Sequence, residues 1–353
     1  MTVQTLGDLC LEGARKYKTR KALELCRGDR LVETVDFRSL AFRARQLAVL
    51  FHSLGIERGA RIMILAENRP EWSIAVFGAA LAGAVFLPLP PQAVSGNQRG
   101  TGSRGADFRE LGETVSAICV TERTAEQAAA LDPALPRIYL DSPSGQPGWT
   151  NILVTSGGVR KRLRLSPQPD LPAVPGGGPE AGDPAVMWPG GGQNSHRELL
   201  SLMAEPPYPR LFPRDRLLSL CPLAEKGALI LAVLAAVRGG ASLSCVEENE
   251  GESGDLLRTL DLLRPSVLVG GGDVLQNLMY RNIRPEHFLL KNSFTRPLAL
   301  SWAGQKVIKS LGGNVRYYGI VGGSLTVDRE KALPPNSAKP GFPGTIPGSV
   351  WIG

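Results

Sequence analysis

Three stretches of this sequence carry residue types that could handle an anion. In one, Gly190-Gly191-Gly192 is followed by Gln193-Asn194-Ser195-His196-Arg197-Glu198. Three glycines could turn backbone N–H groups toward a phosphate or carboxylate, and a helix capped by Asn194 or Ser195 would favour negative charge at its start. Arg197 would add a cation; the same residues also fit a tight turn from strand into helix. In another, Val174 to Gly178 reads Val-Pro-Gly-Gly-Gly, but no strand leads in and no helix follows directly, so a linker is expected. The third is a basic cluster, Arg160, Lys161, Arg162 and Arg164, whose alternation puts three arginines on one side of an extended segment. It suits an anionic partner or membrane surface as well as a solvated face. No aromatic residues interleave with those charges to stack bases, so nucleic acid is not expected.

Metal and thiol chemistry find little support. Cys10, Cys26, Cys119, Cys221 and Cys245 are scattered without a CxxC pair, and only His52, His196 and His287 carry imidazole. Buried reduced thiols are expected. The chain has 353 residues, 43% hydrophobic and 21% charged, with a net charge of +7, an ordinary globular make-up with room for more than one core. Its longest apolar run, Ala228 to Val237, ends at Arg238, short of the ~20 residues that span a bilayer. A cytoplasmic protein without a transmembrane segment is expected, with peripheral membrane contact left open by the basic cluster.

The elements that must position these groups alternate between helix and strand. Asp36 can cap a helix over 37–54, with Leu40, Ala44, Leu47, Ala48 and Phe51 at helical period and Gly55 at its end. A strand over 61–66, a helix entered at Pro70 and closed near Gly83, and a strand over 84–87 follow. Strand, helix, strand predicts a helix-covered parallel sheet. Strands are also expected at 115–120 and 137–140, with a helix at 122–130 between them. A Pro/Gly-rich stretch precedes a second alternating block with strands at 217–220, 241–246, 266–269 and 314–320. The fold class is α/β with two tandem sheet-and-helix subdomains. The expected division is 1–140, a first subdomain; 141–184, a linker; 185–333, a second subdomain; and 334–353, a remnant leading into a β-barrel.

Ser53 to Leu89, SLGIERGARIMILAENRPEWSIAVFGAALAGAVFLPL, resembles the opening subdomain of the adenylate-forming acyl-CoA synthetases. The stretches 215–248 and 262–270 resemble the long-chain branch, and 311–325 and 339–348 look like the family's pocket-lining and barrel-opening segments. The resemblance implies ATP and magnesium as cofactors and a fatty acid or other acyl ligand, joined to coenzyme A through an acyl-adenylate. It also implies that Gly322, Gly323 and Ser324 occupy the turn that contacts adenine, which tight turns alone would explain too. His196 would match the histidine after the phosphate loop, and Glu225 stands where a pocket histidine is usual.

Two departures bear on activity. The Ser/Thr/Gly-rich phosphate loop ending in Pro-Lys-Gly is replaced by Met187-Trp188-Pro189-Gly190-Gly191-Gly192-Gln193-Asn194, shorter and without threonine or lysine. The Tyr-Gly-x-Thr-Glu motif is missing where Leu333 runs into Pro334. Tyr318-Gly319-Ile320 looks like that motif but belongs by context to the preceding strand. No catalytic residue and no metal ligand can be assigned, and the family's C-terminal lid has no counterpart. The resemblance therefore implies a degenerate AMP-dependent ligase. Its alternatives are a non-catalytic acyl- or adenine-binding module or scaffold, an enzyme completed by a partner chain over the exposed face, and a decayed or incomplete gene product.

Overall fold

The structure is a computed structural model; it describes residues 2–94, 115–141, 151–165, 178–189, 191–203, 210–247, 253–271, 309, 311–321 and 349–352. In chain order these carry α1 (Leu6–Tyr17), β1 (Lys21–Arg27), β2 (Arg30–Asp36), α2 (Phe37–Ser53), β3 (Arg61–Leu65), α3 (Pro70–Ala82), β4 (Val85–Leu89), β5 (Ala117–Val120), α4 (Ala125–Leu131), β6 (Arg137–Tyr139), β7 (Asn151–Ser156), β8 (Val159–Arg164), β9 (Pro184–Met187), β10 (Gln193–Ser195) and α5 (His196–Leu202). There follow β11 (Arg216–Ser219), a helix α6 made of Lys226–Ala228, a π-helical Leu229–Leu234 and Ala235–Gly239, then β12 (Ser242–Glu247), α7 (Ser253–Leu263), β13 (Val267–Gly270), β14 (Tyr317–Val321) and β15 (Ser349–Ile352). They divide into two compact units: Met1–Ala22, Val35–Ala204 and Leu223–Lys226 form one, and Leu23–Thr34, Glu205–Pro222 and Gly227–Gly353 the other.

The first unit holds a sheet of order β10-β9-β4-β3-β5-β6-β7-β8. From β9 to β6 neighbouring strands are parallel, and antiparallel strands close both ends. The register places Leu89, Leu65, Val120, Tyr139 and Leu153 side by side on one face, where Met63, Leu87, Ile118 and Ala128 complete a buried cluster. The helices form for local reasons. Asp36 caps α2 by accepting from the Ser39 amide at 2.6 Å. Pro70 opens α3, and Gly83 closes it in the left-handed region at φ 73°. Every residue of α3 is buried, and a Cβ at Gly78 would stand 2.8 Å from the Cβ of Leu47, so only glycine permits this crossing of α2 and α3.

The second unit holds a sheet of order β15-β14-β13-β11-β12-β1-β2. Strands β14 to β1 are parallel, while β15 pairs antiparallel with β14. Its described apolar cluster gathers Cys26, Leu218, Leu260, Leu263, Leu268, Leu311 and Tyr318.

The α/β class with two sheets agrees with the sequence expectation, as do α2, α3 and the strands of the first βαβ unit. Other boundaries differ. β1 and β2 come from the first 140 residues yet lie in the second unit's sheet, Leu23 pairing with Leu243. The stretch expected as linker carries the hairpin β7–β8, because Ile152, Leu153 and Val154 within it bury against the first sheet. The residues expected to begin a barrel form β15, an antiparallel edge on the second sheet. The join at Leu333 lies outside the described residues.

Candidate functional site

The stretch from Asp183 to Glu198 folds as a hairpin that feeds a helix. β9 and β10 pair antiparallel, with Met187 opposite Gln193 and Val186 opposite Asn194. Between them the chain turns back through Gly191 and Gly192, at φ 88° and 83°, values open to glycine without strain. The turn uses its own donors: the Trp188 amide donates to the Gly192 carbonyl, and the Gly191 amide to that of Trp188, both at 3.0 Å. The helix start is equally occupied. His196 N–H donates to Asp183 O at 3.2 Å, Arg197 N–H to Ala181 O at 2.8 Å, and Glu198 N–H to Ser195 Oγ at 3.2 Å. Glu198 returns its carboxylate to the Ser195 amide, completing a capping box.

Side chains brace the same turn. Trp188 Nε1 donates to Asn194 Oδ1 at 2.9 Å, and Asn194 Nδ2 donates to Glu198 Oε2 at 3.0 Å. The Lys226 ammonium lies 5.8 Å from the centre of the Trp188 ring. Upstream, Asp183 accepts from Arg58 Nη2 at 2.7 Å and from the Glu180 amide at 2.8 Å.

His196 is 1% exposed, so it is a buried group and not a surface one. Its Nδ1 accepts from the Leu6 amide at 3.3 Å, satisfying a first-turn donor of α1 that Thr5, occupied with Asp8, leaves over. Burial pushes the imidazole down to about 4, against the pull of Asp183 and Asp8, so the ring is neutral near pH 7. Glu225 lies half-buried in the turn that leads into α6. Gly190, Gly322, Gly323 and Ser324 lie outside the described residues. Tyr318, Gly319 and Ile320 do belong to β14, and Tyr318 Oη donates to the Gly271 carbonyl at 3.4 Å.

The sequence reading passed over a second polar group, at the carboxyl ends of β3, β5 and β6. Arg69 there contacts Glu71 at 2.8 Å, Glu67 at 3.4 Å and Asp141 at 3.7 Å. Thr121 Oγ1 donates to Glu67 at 2.8 Å, and both oxygens of Asp141 accept from the Glu122 amide. Burial alone would lower the Arg69 guanidinium, but Glu71, Asp141 and Glu67 outweigh it and hold it above its usual value. Burial raises Asp141 in turn. The run Glu67-Asn68-Arg69-Pro70-Glu71, set directly after a strand, is the signal that marks this place, since open α/β sheets take ligands beyond their strands' carboxyl ends. Here the central cation is a protein side chain. Among the described residues no group of three His, Cys, Asp or Glu is placed to hold a metal. Cys10 and Cys119 are pushed up to about 12 by burial, which leaves them inert as nucleophiles near neutral pH.

Residues 11–99 match the AMP-binding enzyme family. Over 140 residues the chain is 31% identical to the long-chain-fatty-acid–CoA ligase heimdall of Drosophila melanogaster, covering 38% of this chain and 19% of that protein. The chain spans under a fifth of the length of the curated relatives it matches. Among solved structures, a fatty acyl-adenylate ligase from L. pneumophila, in complex with acyl adenylate and pyrophosphate, superposes with a TM-score of 0.59 at 15% identity. That match covers 90% of this chain and 55% of that one. A nonribosomal peptide synthetase in its AMPPNP-bound form gives 0.58 at 17% identity, covering 91% and 32%. The fold is therefore that of the N-terminal domain of adenylate-forming enzymes. Among the described residues no helix is long and apolar enough to cross a membrane.

Proposed function

We propose that this chain, whose residues 11–99 belong to the AMP-binding enzyme family, descends from a long-chain acyl-CoA ligase and no longer forms acyl-adenylates. Adenylation puts charge on phosphate and carbonyl oxygens, and catalysing it takes donors free to meet that charge. One observation carries the reading: the amides of Ser195, His196, Arg197 and Glu198, with those of Trp188 and Gly191 in the preceding turn, all donate within the protein. The hydroxyl at this turn, Ser195 Oγ, is engaged by the Glu198 amide, and Trp188 and Asn194 brace the turn where the family's loop carries threonine and lysine. Losing one such donor typically costs on the order of 10²–10³ in rate.

The same proposal keeps fatty acid and ATP as the ancestral ligands, with magnesium contributing little to nucleotide binding. It places the protein in the cytoplasm, in keeping with five buried free cysteines. Purified protein is expected to show no fatty-acid-dependent ATP–pyrophosphate exchange beside an intact synthetase as positive control; exchange above background overturns the reading. A second reading is a non-catalytic acyl- or adenine-binding module, supported by both sheets being kept while the donors at the start of α5 are engaged. Calorimetry with AMP and ATP, with and without magnesium, separates the two. Binding of AMP that magnesium leaves unchanged supports the module, and tight magnesium-dependent ATP binding restores the enzyme.

A further inference from the structure

The basic cluster at Arg160 to Arg164 lies on β8, the outermost strand of the first unit's sheet, whose one neighbour among the described residues is β7. An edge strand leaves the N–H and C=O groups of alternate residues without a ladder partner. Val159, Arg160, Lys161, Arg162 and Arg164 are all exposed. Arg160 is occupied, pairing with Glu122 and lying 4.7 Å from the centre of the Tyr139 ring. Lys161, Arg162 and Arg164 make no ion pair among the described residues.

The register fixes where those charges sit. Arg162 stands opposite Leu153 and Arg164 opposite Asn151, on one face of the sheet, whereas Lys161 stands opposite Val154 on the other. A flat anionic surface meets one face at a time. A ligand lying along the edge reaches both. A second copy of the strand would set like charges against each other, which is how such edges resist self-pairing. Among the described residues beside β8, nucleic acid would find no free ring to stack on, since Tyr139 is buried beneath Arg160. We propose that β8 is the docking edge for an acidic, extended peptide segment that adds as a ninth-position strand beside it, its backbone pairing with the edge and its carboxylates meeting Arg162 and Arg164 on one face and Lys161 on the other.

Fluorescence anisotropy with the whole chain tests this, using a labelled peptide of Glu-Glu-Val-Val repeats, whose carboxylates fall on both faces of a strand, an equally charged peptide of Glu-Glu-Pro-Pro repeats, and phosphatidylserine vesicles. Strand addition predicts binding of the glutamate–valine peptide at least about tenfold tighter than of the proline peptide, whose either edge lacks half of the N–H groups that would pair. Arg162→Glu with Arg164→Glu is expected to weaken that binding by about tenfold or more with an unchanged thermal melt, and Lys161→Glu alone to weaken it measurably. Slower amide exchange in β8 on adding peptide is the independent readout. Equal affinity for the two peptides, absence of peptide binding, or vesicle binding that responds to the arginine variant and ignores Lys161→Glu would overturn the proposal.

Discussion

The two sheets solve the same packing problem with different materials. In the first unit, strand neighbours on the described core face are apolar from Leu89 through Leu65 and Val120 to Tyr139 and Leu153. In the second, β1, one strand in from the β2 edge, carries Glu24, which is fully buried and accepts from Ser244 at 3.0 Å and from Arg216 Nε at 2.9 Å. Arg216 also donates to the Leu263 carbonyl. Beside it Asp215, 3% exposed, accepts from Ser266, Arg316 and the Phe212 amide. Apolar registry fixes which face is buried and tolerates repacking among apolar partners; a buried carboxylate accepts only the strand that brings its donors. The second sheet is thus specified by polar matching between distant segments, and the first by local hydrophobic pattern.

The largest expected effect tests that contrast directly. Glu24→Ala leaves the buried Ser244 hydroxyl and the half-buried Arg216 guanidinium without their carboxylate, empties buried volume, and is expected to cost about 3–5 kcal/mol, confined to the second unit. Hydrogen exchange resolved by segment checks it: β1, β11 and β12 should open while β3 to β6 keep their protection. Glu24→Leu combined with Arg216→Met removes both charges and is expected to recover most of the loss. A double variant as unstable as the single one would mean that packing, and not charge matching, holds β1.

Next comes acidity, acting on the first unit through His196. Its folded value near 4 lies below the ordinary 6.5, so the unfolded chain takes up the proton first. Stability from the neutral ring is fully present above about pH 6.5 and falls as pH drops toward 4, by about 3 kcal/mol in all. His196→Asn keeps an acceptor for the Leu6 amide but cannot titrate; denaturation melts between pH 7 and 4.5 should be flatter for it than for the parent protein.

Smaller is Gly78→Val, which drives a side chain into Leu47 and the Ala44 carbonyl. It should cost the first unit about 1–3 kcal/mol and leave exchange in the second unchanged. Smallest is Thr5→Ala, which removes one half of the α1 capping box, at about 1 kcal/mol in a urea melt.

Legibility followed the same division. The helix from Phe37, the strand from Arg61 and the helix opened by Pro70 were readable because cap, period and terminating glycine lie within a few residues of one another. That residues 23–34 join the second unit was not legible, because the partner of Leu23 is Leu243 and no local pattern encodes a pairing at that distance. At the candidate site the tight turn was legible from Trp188-Pro189 and the glycines. That its amides are already engaged was not, since Asp183 O and Ala181 O come from the preceding strand's entry. His196 drew notice only as a match to the histidine after the phosphate loop; its task in the structure is to receive an amide from a helix 190 residues earlier in the chain. The Arg69 cluster was hidden in a run taken for a family signature, its members scattered from Glu67 to Asp141.

The placement of β1 has a consequence for how the protein is made. A ribosome releases Glu24 220 residues ahead of its hydroxyl partner Ser244, an interval on the order of 10–40 s at ordinary elongation rates. Throughout that interval a strand bearing a carboxylate at its centre has no berth, while the first unit's local βαβ segments can already condense around it. The N-terminal hairpin must therefore be kept out of that earlier core, and Glu24 itself, costly to bury without Arg216 and Ser244, is the residue that keeps it waiting.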